Sequence, residues 1–291
     1  MNFPVHAQKN TFKVMAWNIL HGGNDIENGP ENVAKIIKEI NPDIILMIET
    51  YGSGPFIADY LNCNFHLVAS KNTSLNDPSV NLSVFSKYSF GKRIDTEYPF
   101  YLGGIEIPIN GKIIRFFSNW FHYLPWNNEP EKMGKSVEEL LEWEKTESRH
   151  EMIQKVLPYL KKFANETDSI PMIFGGDMNT LSHLDWTNKT KKFHNNLVVP
   201  WNATEILADL GLIDSYRKEN PNPITHPGIT WDKKGRKDSH RIDYIFYKGK
   251  SIKSIKSNSY NAYFNESIII NDKQIPYPSD HGIVVTTFEF R

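Results

Sequence analysis

Cysteine is almost missing from this 291-residue sequence: Cys63 stands alone. An intrachain disulfide and a cysteine-built zinc cage are therefore both excluded. No apolar run reaches the roughly 20 residues that a helix needs to cross a bilayer. Excess charge of either sign is lacking too, since 33 Lys plus Arg against 34 Asp plus Glu leave a formal net charge of −1. That balance argues against a broad basic surface for long nucleic acid, although a local groove would suffice for a short one. Residues 1–10 lack the charged and apolar regions of an intact signal peptide. They do carry Val5-His6-Ala7 before Gln8, the small-residue end of a cleavage site. They are read as a disordered stub or a signal-peptide remnant, which leaves a secreted or periplasmic mature form and a cytoplasmic protein both open. Repeats, low-complexity tracts and linker-like shifts in composition are absent as well. Residues 11–291 thus read as one domain, and 40% hydrophobic residues are enough for a sizeable core.

What is present alternates between strand-like and helix-like segments. Residues 12–19 are rich in β-formers, and residues 43–48 form a short continuous apolar run, the mark of a strand buried on both faces. Between them, Val33, Ile36, Ile37 and Ile40 share one helical face behind Pro30, a residue suited to a helix start. Further strands are expected over residues 81–85, 112–121, 170–174, 241–247 and 282–290. Residues 130–163 read as mostly helical, with a buried stripe through Met152, Val156, Tyr159 and Phe163, and with a kink or early end at Pro158. Residues 204–210, closed by Gly211, form another short helix. The fold class is α/β, one domain with large sheets.

Five motifs stand at the ends of these strands. The first, Trp17-Asn18-Ile19-Leu20-His21-Gly22-Gly23, places an amide where it can orient a carboxylate or contact a phosphate. In the second, Glu49 closes the apolar run Ile44-Ile45-Leu46-Met47-Ile48. A carboxylate so placed needs a partner, and a hard cation such as Mg²⁺, which takes oxygen ligands, would provide one. The third, Ser118-Asn119-Trp120-Phe121-His122-Tyr123, offers His122 as a donor to a phosphate oxygen. In the fourth, Gly175-Gly176-Asp177-Met178-Asn179, the glycines let the backbone turn, and Asp177 and Asn179 point into one cleft. There Asp177 can take the proton of an attacking water that Asn179 holds. The fifth combines Arg241-Ile242-Asp243 with Ser279-Asp280-His281. An Asp243–His281 pair would orient the ring and favour its charged form, which suits stabilisation of an oxyanion.

In this order the five motifs resemble those of the endonuclease/exonuclease/phosphatase superfamily, the deoxyribonuclease I-like fold. The resemblance runs from Trp17-Asn18 through Glu49, His122, Asp177-x-Asn179 and Asp243 to Ser279-Asp280-His281. It implies a four-layer α/β/β/α sandwich of two packed mixed sheets flanked by helices, with the site at one end of the sheets. It also implies hydrolysis of phosphodiesters or phosphomonoesters with Mg²⁺ or Mn²⁺. Glu49 would be the principal metal ligand, with Asn18 and Asp280 beside it. Asp177 and Asn179 would serve the nucleophile, and His281 with Asp243 the transition state. His122 falls where some members carry a catalytic histidine, in a segment reading Trp-Phe-His-Tyr rather than the frequent Thr-His-Leu. Ile48 stands where Gln is frequent.

Substrate contacts are expected from His21, Trp126, His183, Asp185, Trp186 and Trp231. The segment 182–186 should rim the cleft because it follows Asn179 so closely. A basic run, Lys233, Lys234, Arg236 and Lys237, comes just after Trp231. Aromatics and cations around a phosphate site suit a compact organic or head-group phosphate. A small phosphodiester is therefore the expected substrate and nucleic acid the second choice, and a monomer is the default. Two other readings differ in kind. A catalytically silent binding module would have lost Glu49, Asp177 or His281, and all three are present. A zinc hydrolase built on His21, His183 and His226 lacks the His-x-x-x-His spacing that helical zinc ligands show.

Overall fold

The computed structural model describes residues 10–124, 129–146, 148–231, 240–261 and 266–291. The expectations for residues 1–9, for Trp126 and for the basic run at 233–237 lie outside the described residues.

The first sheet opens with β1 (Thr11–Asn18), after which α1 (Gly29–Ile40) crosses to β2 (Ile44–Ile48), parallel to β1. Pro30 sits in the first turn of α1, where its missing N–H costs least, and the helix lays its apolar stripe on the sheet. Every residue of β2 is buried, as its unbroken apolar run requires. α2 (Gly54–Leu61), β3 (Asn64–Leu67) and β4 (Ser83–Ser86) follow, with β4 antiparallel to both β2 and β3. The second sheet begins with β5 (Arg93–Ile94), β6 (Leu102–Ile109) and β7 (Lys112–Trp120). Two helices come next, α3 (Val137–Lys145), begun by a Ser136/Glu139 capping box, and α4 (Ser148–Asn165). The chain then enters β8 (Met172–Asp177), α5 (Asn202–Asp209), β9 (Ile213–Asp214) and α6 (Ser215–Glu219). It ends with β10 (Asp243–Lys248), β11 (Ile252–Tyr260), a hairpin of β12 (Ser267–Ile270) and β13 (Lys273–Pro276), and β14 (Ile283–Phe290).

Both sheets are mixed, in the orders β11-β14-β1-β2-β4-β3 and β5-β6-β7-β8-β10-β9. Alternation along the strands divides the core into three slabs. Phe12, Val14 and Ala16 of β1 meet Ile114 and Phe116 of β7 between the sheets. Met15 and Trp17, one residue out of phase, pack under α1 and the β12–β13 hairpin. Phe117 and Phe174 turn the other way, against Ile153, Val156 and Leu160 of α4 and Leu207 of α5. The result is the expected α/β/β/α sandwich.

Two expectations are corrected. α4 runs through Pro158 without ending, because its buried stripe on the second sheet outweighs the one hydrogen bond lost at the solvent-facing proline. Gly175 and Gly176 are not in a turn but inside β8. Gly176 is required because a Cβ there would lie 1.9 Å from the carbonyl oxygen of Asn119 on the paired strand β7.

Topology places the motifs. β1 and β2 are parallel, as are β7 and β8, so Asn18, Glu49, Trp120 and Asp177 all emerge at C-terminal strand ends. The antiparallel strands β10 and β14 begin at that same end, bringing Asp243 opposite Asp177 and His281 close to Asn18. Residues that are far apart in the chain therefore meet at one edge of the sandwich.

Candidate active site

At this edge a cleft of about 490 Å³ is lined by Glu49, Asp177, Asn179, Asp280 and His281. Leu20, His21 and four aromatic residues, Tyr51, Trp120, Tyr123 and Trp231, complete its walls.

Asn18, almost wholly buried, joins the two halves. Its Nδ2 donates to Glu49 Oε1 at 3.0 Å and to Asp177 Oδ2 at 3.1 Å, while its Oδ1 accepts the Leu20 N–H at 3.0 Å. The amide thus holds two carboxylates toward one space without letting them repel unscreened. Glu49 Oε2 accepts a further bond from the His21 N–H at 2.9 Å. Asp177 is fixed by Asn179, whose backbone N–H donates to Oδ1 at 2.9 Å and whose Nδ2 donates to Oδ2 at 3.0 Å. Asn179 in turn is anchored by Nδ2 to the Phe121 carbonyl at 2.8 Å, and by Arg149 Nη1 donating to its own carbonyl at 2.7 Å.

His281 Nδ1 lies 3.0 Å from Asp243 Oδ2, as the sequence suggested, and Nε2 faces Asp177 Oδ2 at 3.8 Å and Asp280 Oδ1 at 3.9 Å. The backbone around the ring is pinned as well. Tyr277 Oη and Trp17 Nε1 both donate to the His281 carbonyl, and Ser279 Oγ accepts the His281 N–H while donating to Asn18 O. Thr230 Oγ1 accepts the Asp243 N–H at 3.0 Å. Trp231 Nε1 donates to Asp280 Oδ2 at 3.2 Å.

Burial opposes charge on His281, but the carboxylates of Asp243, Asp177 and Asp280 outweigh it and hold the imidazolium well above its ordinary range. Burial pushes the Asp177 carboxyl up to about 8, with Asp243 adding and His281, Asn18 and Asn179 opposing. Burial, then the Glu49 charge, pushes the Tyr51 phenol up to about 12, so it remains a neutral donor at the cleft wall.

Among the described residues, one group of three His, Cys, Asp or Glu side chains is close enough to share an ion, namely Asp177, Asp243 and His281. Its histidine already commits Nδ1 to Asp243, so this trio is better suited to holding a proton than a metal. Oxygen donors for a hard cation lie alongside it. Glu49 faces the cleft, and Asp280 Oδ1 is buried with no hydrogen-bond partner. An all-oxygen set with an orphaned carboxylate oxygen fits Mg²⁺ or Mn²⁺. Asn18, expected beside Glu49, lies there as an amide bridge between Glu49 and Asp177. His21, His183 and His226 do not converge, since their Nδ1 atoms pair with Asp25, Thr204 and Thr225 respectively.

Other expectations shift. His122 is not among the cleft-lining residues: its Nδ1 accepts the Leu124 N–H at 3.0 Å and its ring stacks on Tyr123. Trp120, which sequence reasoning passed over, occupies the wall in its stead. The cause is the strand end, since Trp120 is the last residue of β7 and His122 lies past it in the loop, where strand alternation no longer directs its side chain. Tyr51 was also missed, and its only signal was closeness to Glu49. His21 and Trp231 do line the cleft. Asp185 and Trp186 do not rim it, and they line a separate pocket of about 260 Å³. Asp185 is there to pair with Arg217 and Arg241, and Trp186 packs on His194 and Trp201. His183 lies outside the cleft, with Nδ1 2.8 Å from Thr204 Oγ1.

Comparison with known proteins agrees with this architecture. An uncharacterized Caenorhabditis elegans protein, F14F9.5, is 28% identical over 313 residues, covering 98% of this chain and 93% of that protein. Truncated C. elegans TDP2 superposes with a TM-score of 0.61 at 15% identity, over 97% of this chain and 99% of that one. The human Nocturnin catalytic domain, solved with a bound sulfate anion, superposes with a TM-score of 0.60 at 16% identity, over 98% and 95% of the two chains. These structural matches establish the deoxyribonuclease I-like fold. The model of the endonuclease/exonuclease/phosphatase family matches residues 15–281, a span that takes in all five motifs, and the chain therefore belongs to that family of phosphoesterases.

Proposed function

We propose that the protein is a divalent-cation-dependent phosphodiesterase that cleaves a small organic or head-group phosphodiester by attack of an activated water. The observation that carries this reading is the convergence of Glu49, Asp177 and the His281–Asp243 pair on one cleft, bridged by Asn18.

Asp177 is the base. Its carboxylate faces the cleft, and a carboxyl whose pKa lies near the working pH can take a proton from water and release it again. Asn179 keeps the carboxylate from rotating, so the water is held in one orientation. His281, kept charged by Asp243, presents Nε2–H to the phosphoryl oxygens and stabilises the negative charge that grows on them. Glu49 and Asp280 are the residues that would hold Mg²⁺ or Mn²⁺. Such an ion, when bound, neutralises phosphate charge and polarises the phosphoryl group. Tyr51, Trp120, Tyr123 and Trp231 exclude water and give the organic part of the ester apolar and π surface.

No Lys or Arg lines the cleft among the described residues, which favours a substrate with a single phosphodiester over a polyanion. The test is hydrolysis of bis-p-nitrophenyl phosphate and p-nitrophenyl phosphate with and without Mg²⁺ or Mn²⁺, run beside plasmid nicking. Metal-dependent diester cleavage without nicking is the expected result. Strong nicking would move the reading to a nuclease, and metal-independent turnover would remove the role given to Glu49.

A further inference from the structure

Glu49 stands in a backbone conformation that its residue type disfavours. Its φ of 56° is left-handed, and the turn continues through Tyr51 at 37° and Gly52 at 87°. Such backbone persists only where its surroundings over-determine it. One side of the turn is held by the loop after β1, where Gly22 N–H donates to Glu49 O at 2.8 Å and His21 N–H reaches the carboxylate.

The other side is held by the segment before β4, where Val80 O accepts the Tyr51 N–H at 3.1 Å and Asn81 alone reaches the Glu49 N–H. Asn81, 1% exposed, accepts the Glu49 N–H on its Oδ1 at 3.0 Å and the Thr50 N–H on its backbone oxygen at 2.9 Å. Its Nδ2 donates at 3.1 Å to the carbonyl of Phe100, whose ring packs edge-on against Trp120 at 5.4 Å and 87°. Asn81 therefore touches both the carboxylate-bearing turn of the first sheet and the segment leading into β6 of the second. A primary amide can accept from one backbone and donate to another at once, through two separate atoms. Aspartate would lose the donor, and leucine, of similar shape, would lose both.

We propose that Asn81 is a positioning residue for the cation-binding arm. It keeps the Glu49 backbone left-handed, so that the carboxylate enters the cleft, and ties that arm to the Trp120 wall. Without the amide, the part-buried Glu49 N–H loses its protein acceptor, and the turn relaxes toward an ordinary φ that swings the side chain away. This inference rests on the reading of Glu49 as a ligand of the divalent ion.

Calorimetric titration of Mn²⁺ into the metal-free protein tests it without recourse to turnover. Wild type is compared with Asn81→Ala, Asn81→Asp and Glu49→Gln, and the Tm of each metal-free protein is measured alongside. Loss of a group that orients a metal ligand weakens affinity by about 10–100-fold, and Asn81→Ala should fall in that range together with Glu49→Gln. Asn81→Asp keeps the acceptor for the Glu49 N–H but loses the donor to Phe100 and buries a charge, so its Mn²⁺ affinity should fall less than that of Asn81→Ala while its Tm falls too. If Asn81→Ala does not fold, Asn81→Ser replaces it, since its hydroxyl is too short to reach the Glu49 N–H, and the same loss is expected. Wild-type Mn²⁺ affinity in Asn81→Ala or Asn81→Ser, with a lowered Tm and a weakened Glu49→Gln, would make Asn81 merely structural and overturn the proposal. Wild-type affinity in Glu49→Gln would show that Glu49 is not a ligand, and the reading of the metal site would fall with it.

Discussion

Replacing Asp243 by Asn tests the charge logic of the site with almost no change of shape. The carboxylate is buried, sits 3.0 Å from His281 Nδ1, and is the leading opponent of the burial that disfavours the imidazolium. Unit charges about 4 Å apart at an effective dielectric of about 20 attract by about 4 kcal/mol. Asn retains a polar contact with the ring but not that attraction, so most of it is lost from the charged form. Near pH 8 the variant should hold His281 neutral, unable to stabilise the developing phosphoryl charge. The expected loss in kcat/KM is about 10²–10³-fold, the scale of losing one oxyanion-stabilising donor. Toward pH 5.5 the bulk proton concentration restores the charge and the deficit should shrink. The assay is kcat/KM for a chromogenic phosphodiester from pH 5.5 to 9 at saturating Mn²⁺, with circular dichroism to confirm the fold. A loss of less than about fivefold at pH 8, or one that stays flat across the range, would refute the assigned role.

Three more outcomes are expected. Asp177→Asn should abolish turnover while circular dichroism shows the fold retained, and near-normal rates would remove Asp177 as the base; because both Asp177 oxygens accept N–H bonds, its Tm should fall, since one of them becomes a donor. Gly176→Ala should destabilise the protein by about 3 kcal/mol or more, because its Cβ would meet the Asn119 carbonyl at 1.9 Å; an unchanged urea midpoint would contradict this. His66, whose pKa burial lowers from 6.5 to about 4, sets an acid-sensitive leg of stability. The unfolded chain binds that proton more readily, so the stability is full above pH 6.5 and falls as the pH drops toward 4. Between pH 7 and 5 the loss should be roughly 1–2 kcal/mol, and His66→Phe, packed against Phe90, should lose that much less. Equal pH dependence of the two urea midpoints would count against it.

The elements legible in the sequence are those whose pattern is local. α1 shows its four-residue apolar stripe and its starting proline, and β2 is an unbroken apolar run. β6 was missed because Gly103, Gly104 and Pro108 read as strand breakers. Those glycines are there because a Cβ would lie 2.2 Å from Val68 Cγ1 at Gly103 and 2.1 Å from Phe116 O at Gly104. β11 was missed because its run of Lys, Ser and Asn hides the ladder it forms with β14. In the site, Glu49, Asp177 and His281 could be picked out because each interrupts or closes an apolar run at a strand end. Trp120 could not be, because only the register of β7 against β8 decides which residue reaches the cleft wall.

By itself, the sequence determined the kinds of group available and where strands must end. An ordered set of acid, amide and imidazole residues after apolar runs constrains the chemistry, because buried charge requires partners. Tertiary structure alone decided which partners those are. It gave Asp185 to Arg217 and Arg241 rather than to the cleft, set Asn18 between Glu49 and Asp177, and delivered Asn81 to the backbone of Glu49. The reason is that these pairings join residues up to 159 positions apart, as Asn18 and Asp177 are. Their distances follow from strand order and the packing of one sheet on another, not from any spacing along the chain.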